Sequence, residues 1–549
     1  MLKLRKNLFI ILSTCSLGIL LFINILSLFI NIKQSFIFNQ IGSINWILSY
    51  FLIIVFSIKS LIKLIKLSFN KKWFLTLLII IIFVFLSFFQ AIQTASVSHE
   101  TTQEVACITN SKYLGEKYNQ PCFLGYPARQ YLIQALPSLF FTKSIVTLNS
   151  GAILYFIPGL IIFSYALIYA NKNKKYPDEI VSIALSLLLS FYFISHFYFH
   201  SFEQSIFPLS LGLAGTGLSL LYKKSGKLDI LLLLIIVIQH AIFAYTPALS
   251  LVPLFAVFFL IASYQWIKNK RNFVLIIMLF SVITGSSLAI SMQNRSDIRV
   301  FNNHINSTSS IQDIIKETSA VLKHFFIQHT GGVEFASPII LWVLFTVVFF
   351  GSKKNRFNLI LIVWALATML IATTSQGYSK YGLDFRAHRS LVILPILLLG
   401  FSTSLIELLQ KIKHQRISQI ALFLILLATT TLGIHSTNEY LRANKTDDRT
   451  LLSLWMQKNT DASQTYDLFI IEPQPYQDLL SLNDKLQYFA SSIKSQILAE
   501  NESCPLEKGI YFINPISPCI NSYQNSLRYQ PEQYVDTKGY KYEIIIKKN

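Results

Sequence analysis

The sequence predicts an all-α polytopic membrane protein carrying a small α/β domain at its C-terminal end. Three observations lead there. Hydrophobic residues make up 53% of the 549 and charged residues only 13%, with a mean hydropathy of +0.51. A soluble chain cannot hide that much apolar surface. Up to residue 436 the apolar residues come in runs of about 20, the length a helix needs to cross the hydrocarbon core. Finally, lysine and arginine gather on every second connection between those runs.

Taken in order, the runs lie near 7–31, 42–66, 72–95, 149–170, 179–199, 204–222, 228–245, 247–267, 272–292, 337–351, 356–375, 391–411 and 417–436. This predicts about 13 transmembrane helices, the 337–351 run being short for one. The first run begins MLKLRKN, exceeds a signal-peptide core and has no small-residue cleavage site after it, so it reads as a retained span. With the N-terminus cytoplasmic, the inner connections hold 23 basic residues against four acids. The outer loops before the tail hold twelve against nine, and the tail from Thr437 twelve against fourteen. The net charge of +20 therefore splits as +19 inside, +3 outside and −2 in the tail. That is the asymmetry expected of an integral plasma membrane protein with an extracytoplasmic C-terminal domain. It also removes a nucleic-acid partner as the reading of a pI near 9.5, because the basic residues form no single face.

Cysteine usage points the same way. Cys15 lies in the first span, while Cys107, Cys122, Cys504 and Cys519 fall in segments assigned to the outside. Two local pairs in an oxidising compartment predict disulfides Cys107–Cys122 and Cys504–Cys519, against four free thiols.

Between the spans the polar segments are few. The lysine-spaced stretch Lys59–Lys72 is expected along the inner lipid surface. The first long outer loop, 96–148, opens on His99, Glu100 and Glu104 and closes on Gly-Tyr-Pro-Ala-Arg and an amphipathic segment from Gln130 to Phe141. HFYFHSFEQS spaces His196, His200 and Glu203 four and three apart, one helical face. QHAIFAYTP places His240 and Tyr245 before Pro247. A second long outer loop, 293–337, has helical apolar spacing from Ile311 to Phe326. A third, SQGYSKYGLDFRAHRS, holds Tyr381, Asp384, Arg386, His388 and Arg389 and leads into a span containing Pro395. From Thr437 the apolar runs shorten. YDLFIIEP, GIYFINP and KYEIIIKK read as strands, with helices near Asp447–Lys458 and Tyr476–Ile497. The chain thus divides into a transmembrane domain, 1–436, and an α/β domain, 437–549. It contains no P-loop, GxGxxG, CxxC or HExxH.

A hydrophobic span, an acidic residue a few positions on, a loop of some 20–30 residues and then GYPARQYLIQALPSLF resemble the first outer loop of GT-C fold glycosyltransferases. The Arg386–Arg389 segment before a proline-containing span resembles a later pattern of the same superfamily, and the likeness extends over roughly Trp73 to Ser436. It differs in having Ser-His-Glu where Asp-Glu or Asp-Asp is common, and in placing two spans before the loop. The resemblance implies a GT-C-like membrane domain that uses a polyprenyl-phosphate-linked sugar, with an acid at the start of the loop as general base and a helix on the membrane after it. Glu100 or Glu104 would be that base, and His99, Arg129, Tyr381, Arg386, His388 and Arg389 would bind substrate.

The residues support that chemistry independently. A carboxylate can take the proton an acceptor hydroxyl loses as it attacks an anomeric carbon. A guanidinium or a metal can hold the charge that gathers on the departing phosphate. Nine of the ten histidines lie at or beyond the outer boundary of the spans, only His414 lying inside. His196, His200 and Glu203 would hold a divalent cation, Mg or Mn, as cofactor, if they are not simply packed. The two arginines could equally be interfacial anchors. The expected function is transfer of a sugar from a polyprenyl-phosphate donor to an extracytoplasmic glycan, lipid or protein. The alternative is a lipid-linked polysaccharide polymerase, ligase or flippase without this site. A secondary transporter fits less well, because mid-span charges are almost absent and no internal repeat is visible.

Overall fold

A computed structural model describes residues 2–29, 35–69, 74–93, 99–120, 122, 128–174, 176–190, 206–244, 246–267, 269–293, 336–352, 360–366, 392–409, 415–443, 448–461, 466–472, 479–499, 509–513, 532–535 and 541–547. At several element ends, His99 and Glu100 among them, it describes the backbone only. The helices run α1 Leu2–Phe29, α2 Phe36–Phe69, α3 Phe74–Gln93, α4 His99–Thr109, α5 Arg129–Phe140, α6 Ile145–Asn171 and α7 Pro177–Leu189. They continue as α8 Ile206–Ser225, α9 Leu228–Phe243, α10 Leu251–Trp266, α11 Lys270–Gln293, α12 Ala336–Ser352, α13 Leu394–Leu409, α14 Gln415–Ala443 and α15 Asp448–Asn459. Residues 360–366 are also helical. Among the described residues, six helices are long and apolar enough to cross a bilayer, and three more apolar helices are shorter. The protein is an integral membrane protein.

The centre of the bundle is α6, packed on α8, α5, α2 and α3. It approaches α8 through small residues. A methyl added at Gly159 would stand 2.5 Å from the Ser210 carbonyl oxygen, and one at Gly217 2.9 Å from the Phe163 Cα. In lipid, where apolar surface drives little helix association, such close backbone contact is a main source of packing energy. Outer helices keep large side chains such as Phe51, Phe85, Met278 and Phe423 about half exposed, a lipid-facing surface. The N-terminus of α3 is capped across the bundle: the Asp178 carboxylate accepts the Leu75 and Thr76 amides at 2.8 Å each.

Several expectations change. The lysines from Lys59 to Lys66 belong to α2 itself, a 34-residue helix, rather than to a separate surface segment. The Lys59 ammonium lies over the Phe9 ring and that of Lys63 over the Tyr165 ring, so both side chains pack on neighbouring helices. The start of the first long loop is a helix, α4, which the sequence alone left unassigned. The amphipathic segment after it, α5, does not rest loosely on the membrane. Its residues Arg129 to Ala135 and Ser138 are buried, and only the Leu139–Phe141 tip is exposed. Stacking of α5 on α6, with Gly151 admitting the Gln134 backbone, encloses it.

In the tail, β1 Tyr466–Glu472, α16 Leu479–Phe489, β2 Ile493–Ala499, β3 Gly509–Ile513, β4 Glu532–Val535 and β5 Lys541–Lys547 follow α15. They form one sheet in the order β2-β1-β3-β5-β4. β1 pairs parallel with β2 and β3, whereas β5 pairs antiparallel with β3 and β4. The segment Tyr476–Ile497, expected as one helix, is split. α16 stops at Phe489, residues 491–492 turn, and Ile493 begins a strand in register with Tyr466. Backbone pairing along the open edge of β1 overrides the helical spacing. Leu452, Met456, Leu468, Leu482, Leu486, Ile493 and Ile510 form a second apolar core there.

Candidate functional site

The 96–148 segment folds as two short helices joined by a turn-rich stretch, and it is tied down on three sides. A disulfide joins Cys107 of α4 to Cys122, 15 residues on, with the Cα atoms 6.1 Å apart. Cys504 and Cys519 lie outside the described residues. Gly115 takes a positive φ of 93° that a side chain would strain, and a Cβ there would meet the Asn39 carbonyl oxygen of α2 at 2.5 Å.

The third tie is Arg129, fully buried at the first turn of α5. Its Nε donates to the Tyr118 carbonyl at 3.3 Å, one terminal nitrogen to Asn24 Oδ1 at 3.1 Å and the other to Asn119 Oδ1 at 2.5 Å. The guanidinium lies 4.0 Å from the Tyr118 ring centroid and 4.1 Å from that of Phe243. These partners are all neutral. Burial accordingly draws the guanidinium below its ordinary range, opposed by the neighbouring phenol, and pushes the Tyr118 hydroxyl up. The network runs on from Asn24 Nδ2 to Ser287 at 2.8 Å, and from Ser287 to Gln239. In this geometry Arg129, singled out from sequence as a substrate contact, joins the loop to α1, α2, α9 and α11.

The two candidate bases stand one turn apart on α4. Glu104 is fully buried, in line with Thr101, Val105 and Ile108 on the side turned to the bundle. Gln103, Cys107 and Asn110, at spacings of four and three, form the neighbouring row, and position 100 stands one turn before both Gln103 and Glu104. That row borders a 490 Å³ recess lined also by Lys112, Glu116 and Lys117 of the turn and Gln487 of α16. The tail closes this side. The Asn110 carboxamide donates to the Gln487 carbonyl at 2.9 Å and accepts from Lys143 Nζ at 2.7 Å. The Tyr488 hydroxyl meets Ser138 Oγ at 2.6 Å and Thr147 Oγ1 at 3.3 Å.

Two features escaped sequence reading. One is the docking of α16 on α4, which no local pattern announces. The other is a set of buried carboxamides, Gln130 and Gln134 of α5 and Asn149 of α6, with no hydrogen-bond partner for either polar atom. Glutamines one turn apart in an otherwise apolar helix were the available signal. His240 is buried too, its Nε2 2.9 Å from Ser49 Oγ and its ring 4.0 Å from that of Trp46. His196, His200, Glu203, Tyr245, Tyr381, Arg386, His388 and Arg389 lie outside the described residues, as does the 311–326 segment. Among the described residues no group of three His, Cys, Asp or Glu could hold a metal ion.

No protein-family model matches this sequence, and no curated protein matches it. Solved structures do. ArnT from Cupriavidus metallidurans bound to undecaprenyl phosphate superposes with a TM-score of 0.50, at 10% identity, covering 85% of this chain and 97% of that one. The apo structure of the same protein gives a TM-score of 0.49 at 11% identity, with the same coverage. The chain therefore has a GT-C fold.

Proposed function

We propose that this protein is a membrane glycosyltransferase that moves a sugar from a polyprenyl-phosphate donor to an extracytoplasmic acceptor. The observation that carries the reading is the fold shared with a protein crystallised with undecaprenyl phosphate, together with an acid-bearing helix that opens the first long loop. Glu100 is the preferred base, because it stands in the first turn of α4, closest to the end of the preceding span, whereas Glu104 is enclosed. The carboxylate takes the acceptor's proton as its oxygen attacks the anomeric carbon. The bond to the phosphate breaks, and Arg386 and Arg389 hold the leaving charge, with His99, Tyr381 and His388 beside them. A divalent cation, where the reaction uses one, belongs at His196, His200 and Glu203. Thirteen crossings, a cytoplasmic N-terminus and an extracytoplasmic 437–549 domain complete the proposal.

The test is transfer from a polyprenyl-phosphate sugar in purified membranes. Glu100→Gln should cut transfer by about 10² to 10⁴, the usual range of general-base catalysis, with membrane level unchanged. Arg386→Ala should weaken use of the donor. Full activity in both single variants and in the double would end this assignment of the site.

A further inference from the structure

The recess between α4, the disulfide-closed turn and α16 has no part in the donor chemistry above, yet it is built for a ligand. Its volume of 490 Å³ is that of a small-molecule site. The polar walls are the carboxamides of Gln103, Asn110 and Gln487, the ammonium groups of Lys112 and Lys117, and the Glu116 carboxylate. Gln103 Oε1 is buried and has no hydrogen-bond partner. Buried polar atoms are rarely left so, and this one asks for a donor.

That requirement selects the ligand class. A bare phosphate could pair with Lys112 or Lys117, but its acceptor oxygens leave Gln103 Oε1 unsatisfied. A lipid tail would pack on Ala106 and the Cys107–Cys122 bridge but offers no donor to Gln103 Oε1. Sugar hydroxyls both donate and accept, as carboxamides do, and suit a mixed set of amides, ammonium groups and one carboxylate. We infer that this recess is a saccharide-binding site that seats the acceptor glycan, with Gln103 and the α16 wall setting its specificity. The acceptor role rests on the transferase reading above, since position 100 stands one helical turn from Gln103. It also gives the tail a purpose, because α16 completes the wall.

The experiment uses the full-length protein in lipid nanodiscs and measures binding of glucose, galactose, N-acetylglucosamine, glucuronic acid and their disaccharides by saturation-transfer NMR, with undecaprenyl phosphate binding followed in parallel. At least one saccharide should bind the wild type. Gln103→Trp, which fills the recess, should weaken it by roughly tenfold or more while undecaprenyl phosphate binds as before. Lys112→Ala, an exposed position that cannot disturb folding, should weaken it by a smaller factor. Failure of every saccharide to bind, or equal binding by both variants, would overturn the site. Loss of a polyprenyl-phosphate sugar in Gln103→Trp, with free saccharides unaffected, would overturn the acceptor assignment in favour of the donor's sugar. Saccharide binding by a wild type that transfers nothing from a polyprenyl donor would leave this recess standing and remove the transferase reading.

Discussion

Arg129 shows how much one side chain can decide. Its three nitrogens serve acceptors from α1, the turn and the stretch before α5, so its removal strands Asn24 Oδ1, Asn119 Oδ1 and the Tyr118 carbonyl inside the protein. Each buried group left unpaired costs about 1–3 kcal/mol. Arg129→Ala should therefore lower the thermal midpoint of the purified protein by several degrees. Arg129→Lys should recover little, because a single ammonium cannot reproduce a planar fork with three partners. A fall in sugar transfer with no fall in midpoint would instead restore the substrate contact that the sequence suggested for this residue.

At the scale of elements, the tail helix α16 ties the C-terminal sheet to the first long loop, and it carries its own titration. Lys485 is buried at 3% exposure, and burial draws its ammonium down to about 7 from an ordinary 10.5. The unfolded segment keeps its proton up to about 10.5 and the folded one releases it near 7, so between those values the unfolded form binds more protons. Stability of this unit should accordingly rise as pH increases from 7 toward 10.5, and the burden should be fully present below 7. Hydrogen exchange over residues 479–499 of the full-length protein, compared with Lys485→Met at each pH, reads this directly. The variant should be better protected at pH 6.5, and the difference should shrink toward pH 9.5. An unchanged difference across that range would mean that the ammonium stays charged in the fold. Tyr488 belongs to the same contact, where burial raises its hydroxyl and hydrogen bonds from Ser138 and Thr147 oppose the rise.

For the whole molecule, the question is which side each end faces. The basic excess of the connections assigned inside, +19 of the net +20, predicts a cytoplasmic N-terminus and an exposed tail. A cysteine introduced near Asn525 should react with an impermeant maleimide in intact cells. Protection there until the membrane is opened would reverse the topology and place the tail, with the recess it completes, in the cytoplasm.

The membrane class, a helix within each apolar run and the Cys107–Cys122 bridge were all legible in the sequence. Hydropathy runs, charge asymmetry and cysteine spacing are local quantities, and local physics sets them. The strands at Tyr466, Gly509 and Lys541 were visible for the same reason. What the sequence could not decide was anything that depends on a neighbour far along the chain. The strand at Ile493 exists because β1 offers it an edge, and the burial of α5 depends on α6. Asp178 caps a helix that starts about a hundred residues earlier, its partner Thr76 lying 102 positions before it. Nor could the sequence show that Glu104 is enclosed, which follows from the packing of α4 between the bundle and α16.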